Sequence, residues 1–178
     1  VRLFAAVPVP SQTRAVALPV PPPGLHPVPT RRWHLTLAFY GELDSAEPVQ
    51  QALAVRLQGL AAPRIGLRGG SALGSAVVLR ADLPAPQDRQ RLEALAAAAH
   101  AAGRAVSAPG VRDSRRFRPH VTVARDRRAG RAAVRAYVAA LATVQAPPWT
   151  VDEVQLVSSV LGPEPRYTVV ARYRLGES

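Results

Sequence analysis

The chain has 178 residues, 48% of them hydrophobic and 20% charged, and carries a formal net charge of +11 at neutral pH. It contains no Cys and no Lys, so all 23 basic residues are Arg. Those absences exclude disulfides, Cys-ligated zinc, thiol nucleophiles, lysyl-nucleotide ligases, Schiff-base enzymes and P-loop NTPases, each of which needs a missing side chain.

The length suits one globular domain, or two small lobes around one core. No apolar run approaches the roughly 20 residues of a spanning helix. The start also lacks the apolar length and cleavage signal of a secretory leader. A cytoplasmic monomer with no membrane partner is the expectation. The charge is uneven: ten Arg lie between Arg104 and Arg135, against Asp113 and Asp126. Such a field attracts polyanions. Part of the Arg excess fits a GC-rich coding sequence, since Ala and Pro are abundant too. Charge alone names an anionic partner and no chemistry.

In chain order, residues 2–7 read as a strand ended by Pro8 and Pro10, and Ser11 as the cap of a short helix to about Leu18. Pro19 to Pro29 reads as an extended loop without regular structure. Trp33 to Tyr40 alternates like a strand and stops at Gly41. A helix fits Glu47 to Leu60, with Pro48 in its first turn and Val49, Leu53, Leu57 and Leu60 on one face. Arg64–Arg68 and Ala76–Arg80 are short strands about a Gly/Ser turn. Asp88 caps a helix over Arg89–Ala102 that Gly103 closes. A loop to Arg116 leads into a strand at His120–Arg125, then a helix at Arg131–Leu141. Two strands, Thr150–Ser158 and Arg166–Arg174, finish the chain about a Gly162-Pro163 turn. This order predicts an α+β protein.

Two triplets carry the chemistry: His34-Leu35-Thr36 and His120-Val121-Thr122. On a strand, residues two apart share a face, so each imidazole stands beside a hydroxyl while Leu35 and Val121 turn to the apolar side. One such triplet is more often structural than catalytic. Four His and seven Thr placed at random yield well under one, and the pairing on two strands with matching apolar flanks reverses that judgement. Near neutrality one imidazole can accept a proton while another donates one, the pair that opening a cyclic phosphodiester requires. Thr36 and Thr122 can donate to nonbridging phosphate oxygens, and Arg125 offers a cationic fork suited to phosphate. This arrangement needs no metal and no cofactor. Zinc would want a third ligand, and no carboxylate sits at ligand spacing from either His. No G-x-S-x-G elbow supports a serine triad. His26 and His100 read as surface residues. Arg31, Arg32, Arg115, Arg116 and Arg118 flank the triplets and could hold RNA phosphates, though any one of them reads equally well as a solvated arginine.

With these flanks the chain resembles the two-histidine (2H) phosphoesterase superfamily, in particular its RNA 2′,3′-cyclic phosphodiesterases, formerly called 2′-5′ RNA ligases. The likeness spans Arg2-Leu3-Phe4-Ala5-Ala6, His34 through Gly41, Phe117-Arg118-Pro119-His120-Val121-Thr122-Val123-Ala124-Arg125, and the region of Ser159, Leu161, Gly162 and Arg166-Tyr167. It implies a bilobal fold, two pseudo-symmetric and mostly antiparallel sheets forming a V-shaped cleft, with helices outside and one triplet in each lobe. It carries over His34 and His120 as catalytic residues, and Thr36, Thr122 and Arg125 as phosphate-binding ones. Arg116, Arg118, Phe4 and Tyr167 become candidates for RNA contact. The implied partner is RNA with a 2′,3′-cyclic phosphate end, or a cyclic nucleotide. The 3′-oxygen would leave, His34 protonating it while His120 activates water. A rival reading is a basic RNA-binding module of the same fold without turnover.

Overall fold

Alternating burial runs along the strands His34–Glu42, His120–Asp126 and Glu153–Val160. The computed structural model describes residues 1–111, 116–162 and 165–176; Arg115 and Pro163 lie outside them. The elements in chain order are β1 (Arg2–Pro8), α1 (Ser11–Arg14), β2 (Leu25–Pro27), a 3-10 turn at Thr30–Arg32, β3 (His34–Glu42) and α2 (Glu47–Leu57). There follow β4 (Arg64–Leu73), β5 (Ala76–Asp82), α3 (Pro86–Ala105), β6 (His120–Asp126), α4 (Gly130–Ala140), β7 (Gln145–Thr150), β8 (Glu153–Val160) and β9 (Arg166–Arg174).

The strands run in the order β7-β4-β5-β6-β3-β1-β8-β9, with β2 added beside β6. Every strand pair among them is antiparallel. The array divides into a half of four strands (β3, β1, β8, β9) and a half of five (β7, β4, β5, β6, β2), because β3 and β6 meet at the single register pair Leu35–Val121. These are the middle residues of the two triplets, and both are fully buried. Each such side chain adds about 1.5–3 kcal/mol through burial, so the apolar residue inside each triplet pins its strand at the seam. α3 packs on β3 and α2, and α4 on β4. The helices therefore cover the face that carries Leu35, Leu37, Val121 and Val123, all in the main core. The expected antiparallel α+β architecture is found, with the two sheets joined edge to edge.

Several boundaries differ from expectation, each for a local reason. Ser11 opens α1 and makes no capping bond, and the helix ends at Arg14. The Pro-rich segment contains β2, paired with β6 through Leu25–Asp126 and Pro27–Ala124. β7 (QAPPWT) carries two prolines that mask a strand in the sequence; it is an edge strand, where a missing N–H costs no ladder bond. Asp88 does not cap its own helix: it is buried and accepts the Arg64 amide at 2.8 Å, tying α3 to β4. Gly103 does not close α3 either. It lies inside the helix where a Cβ would come within 2.3 Å of Val111 Cγ2 and 2.8 Å of the Tyr40 ring. Close approach, not chain reversal, fixes that glycine.

Candidate active site

β3 and β6 present their side chains in the same pattern. In each, the His and Thr of the triplet are half-buried, the next two residues are both buried, and the following residue emerges again. Two buried neighbours in a row break the period of two, and the pairing shows why. Ala5 and Ala6 of β1 pair with Ala38 and Thr36, leaving Leu37 as an extra residue. Val77 and Val78 of β5 pair with Ala124 and Thr122, leaving Val123 extra. Each is a β-bulge, which re-aims the side chains beyond it. Five residues after His120, a regular strand would send Arg125 to the opposite face. The bulge returns it to the face of His120 and Thr122.

Both imidazoles are held alike. Nδ1 of His34 lies 2.8 Å from the Arg32 carbonyl oxygen, and Nδ1 of His120 lies 2.6 Å from the Arg118 carbonyl oxygen. A carbonyl only accepts, so each Nδ1 carries the proton and donates it. That leaves Nε2 of both neutral rings with a free lone pair, and as a donor once protonated. Backbone two residues upstream thus sets tautomer and orientation in both lobes.

The two triplets line one cleft of about 380 Å³ together with Arg125. His26, Arg32, Arg127 and Tyr167 complete its polar and aromatic wall. Arg32 is braced by donating to the Pro165 carbonyl at 3.2 Å. Among the described residues no three His, Asp or Glu side chains come together as a metal site. A cationic cleft with two imidazoles, two hydroxyls and a guanidinium can bind a phosphodiester and exchange protons on two of its sides.

The two histidines sit in different surroundings. His34 packs against Phe4 (centroids 4.9 Å) and edge-on to Tyr167 (5.4 Å), which also meet each other at 5.4 Å. Burial holds the His34 imidazole below its ordinary value; the Arg32 carbonyl opposes this, and the charges of Arg125 and His120 add to the lowering. His120 has no such aromatic neighbours among the described residues, and lines a second groove of about 660 Å³ as well as the cleft.

Known proteins resemble the chain over most of its length. The sequence model of the 2′-5′ RNA ligase superfamily matches residues 12–163, a span that holds both triplets and Arg125. The chain belongs to that superfamily. An RNA 2′,3′-cyclic phosphodiesterase of Thermus thermophilus is 35% identical, the match covering 98% of this chain and 90% of the relative. A solved structure from Thermus thermophilus superposes with a TM-score of 0.68 at 31% identity, covering 98% of this chain and 97% of that one. Escherichia coli LigT complexed with 3′-AMP gives a TM-score of 0.70 at 25% identity, with the same coverage.

Within this superfamily fold, the residues singled out in the sequence fall into three groups. His34, Thr36, His120, Thr122, Arg125 and Tyr167 converge on the cleft. Phe4 reaches it only through the rings, being 4% exposed, so it supports His34 and has little surface for a base. Arg116 and Arg118 line the adjoining 660 Å³ groove. His26, read as a surface residue, is exposed and also lines the cleft, and Arg127 joins it there without having been singled out. β2 brings His26 into register with Arg125, and no signal in a proline-rich stretch announces such a strand.

Proposed function

We propose that the protein hydrolyses 2′,3′-cyclic phosphate ends on RNA to 2′-phosphate ends by acid–base catalysis between His34 and His120, without a metal or other cofactor. The observation carrying this reading is the matched anchoring of the two rings, each Nδ1 bonded to a carbonyl two residues upstream, in a cleft that both rings line. The name of the Thermus relative and the 3′-AMP of the Escherichia coli structure support RNA and nucleotide as the substrate class.

Water attacks phosphorus as Nε2 of His120 takes its proton. The bond from phosphorus to O3′ breaks, and that oxygen receives the proton of His34 Nε2. The product keeps its phosphate on O2′. Thr36, Thr122 and Arg125 stabilise the charge that builds on the nonbridging oxygens. Burial of His34 makes its imidazolium a stronger acid than an ordinary one, while the more open His120 meets water. In the free site His34 is largely neutral, and the phosphate anion supplies the charge that lets it hold a proton. Solvent exchange restores both rings. With a 5′-hydroxyl attacking phosphorus in place of water and O3′ leaving as before, the same groups would give a weak, ATP-independent 2′-5′ joining of ends.

The test is a nucleoside 2′,3′-cyclic phosphate offered in excess EDTA, with the product identified by phosphorus NMR. A 2′-phosphate supports the proposal. A 3′-phosphate, loss of turnover in EDTA, or salt-sensitive RNA binding without turnover would remove it.

A further inference from the structure

A third groove, of about 270 Å³, leaves the cleft on the His34 side and shares Arg32, His34 and Tyr167 with it. Its apolar floor includes Phe4 and Val157, with Tyr167 and Val169 at the rim. Arg14, Arg31 and Arg32 line it together with Gln155, and among the described residues no carboxylate does. Among the described residues its lining is cationic throughout, unlike that of the 660 Å³ groove, which includes Glu93.

Two buried side-chain atoms among the described residues have no hydrogen-bond partner, Nε of Arg14 and Nε of Arg32. Both belong to arginines of this groove. A buried donor left unpaired is destabilising, so such groups call for an explanation, and a bound anion supplies one. At the rim the exposed Tyr167 and Val169 offer aromatic and apolar surface to a sugar or base.

We infer that this groove binds the phosphodiester one nucleotide upstream of the cyclic end, so that the enzyme reads an RNA chain and not only its terminal nucleotide. The inference rests on the phosphodiesterase reading above. It agrees in direction with that chemistry: O3′ leaves toward His34, so the ribose and the chain attached to it lie on the same side. Arg14 sits on α1 and Arg31 on the turn before β3, so two separate segments close around one phosphate.

The experiment compares kcat/KM for three substrates: a 2′,3′-cyclic mononucleotide, the same compound with a 5′-phosphate, and a dinucleotide ending in the same cyclic nucleotide. The dinucleotide is expected to exceed the plain mononucleotide about tenfold or more, the scale of a charge-assisted phosphate contact. Arg14→Met keeps the apolar stem and is expected to shrink that ratio toward one, and to make its log–log salt dependence shallower by about 0.7. Arg31→Ala, at an exposed position, tests the same ratio should Arg14→Met fail to fold. A wild-type ratio near one at low salt overturns the inference while leaving the phosphodiesterase reading intact. A 5′-phosphorylated mononucleotide matching the dinucleotide overturns the claim that a chain is read, in favour of a terminal-phosphate site. If wild type turns over none of the three, the underlying reading fails and the groove assignment with it.

Discussion

The two lobes use one device twice and then depart from it at one position. β3 and β6 share the buried central residue, the bulge, the repeated pair of buried side chains and the carbonyl that holds Nδ1. Beyond the bulge, β6 presents Arg125 and β3 presents Phe39. Arg125 lines the cleft. Phe39 packs on Phe4, Ala6 and Val157, with the Arg2 guanidinium 4.6 Å from its ring centroid. Backbone sets where the two imidazoles aim, and burial among its neighbours lowers the proton affinity of His34. One lobe surrounds its histidine with rings and the other leaves it in the open with a cation beyond the bulge.

The largest expected effect comes from what the lobes share. His34→Ala or His120→Ala is expected to lower turnover at least ~100-fold with folding intact, because each removes one proton transfer. Steady-state rates with circular dichroism as a folding control check this, and an active double variant would sink the mechanism. Arg125→Ala removes what only β6 has, and a loss of about 10- to 100-fold in kcat is expected from one lost charge-stabilising donor. If KM alone rises, Arg125 binds substrate without favouring the transition state.

Sharper still is the pH test of the ring environment. With His34 lowered in the free protein, chiefly by burial, kcat/KM falls as pH rises through that depressed value. The anionic substrate raises it in the complex, so the falling limb of kcat lies at higher pH than that of kcat/KM. Coincident limbs would argue against His34 as the acid. Phe4→Leu removes the ring under His34 and is expected to move the kcat/KM limb upward while changing the maximal rate less than about tenfold. A positioning role predicts that shift; a merely structural one does not.

The smallest effect lies away from the cleft. Gly103→Ala gains up to about 1 kcal/mol of helix propensity but drives a methyl into Val111 and the Tyr40 ring, at a cost of about 1–3 kcal/mol. The ring has little room to yield, since its hydroxyl donates to the Ala99 carbonyl at 3.0 Å. A net loss of stability is expected in urea unfolding, and an unchanged midpoint would show that the ring yields.

Most of the candidate site was legible because its signal is local. Two short triplets with apolar centres fix both their own face and the seam at Leu35–Val121. Arg125 was legible as a residue type but not as a direction. Simple alternation sends it away from His120, and only the pairing with β5 reveals the extra Val123. His26 depends on β2, three residues whose pairing is decided by β6 and by no propensity of their own. Gly103 reads equally well as a helix stop or a packing site until Tyr40 is placed beside it.

Central to this mechanism is that two imidazoles, anchored alike through Nδ1, address one phosphate. Nitrogen-15 NMR of the histidine rings, titrated with inorganic phosphate, tests it most directly. The expected result is Nδ1–H in both neutral rings, with the Nε2 signals of His34 and His120 moving together at one dissociation constant. Movement of one ring without the other, or Nε2–H in either neutral ring, would contradict it.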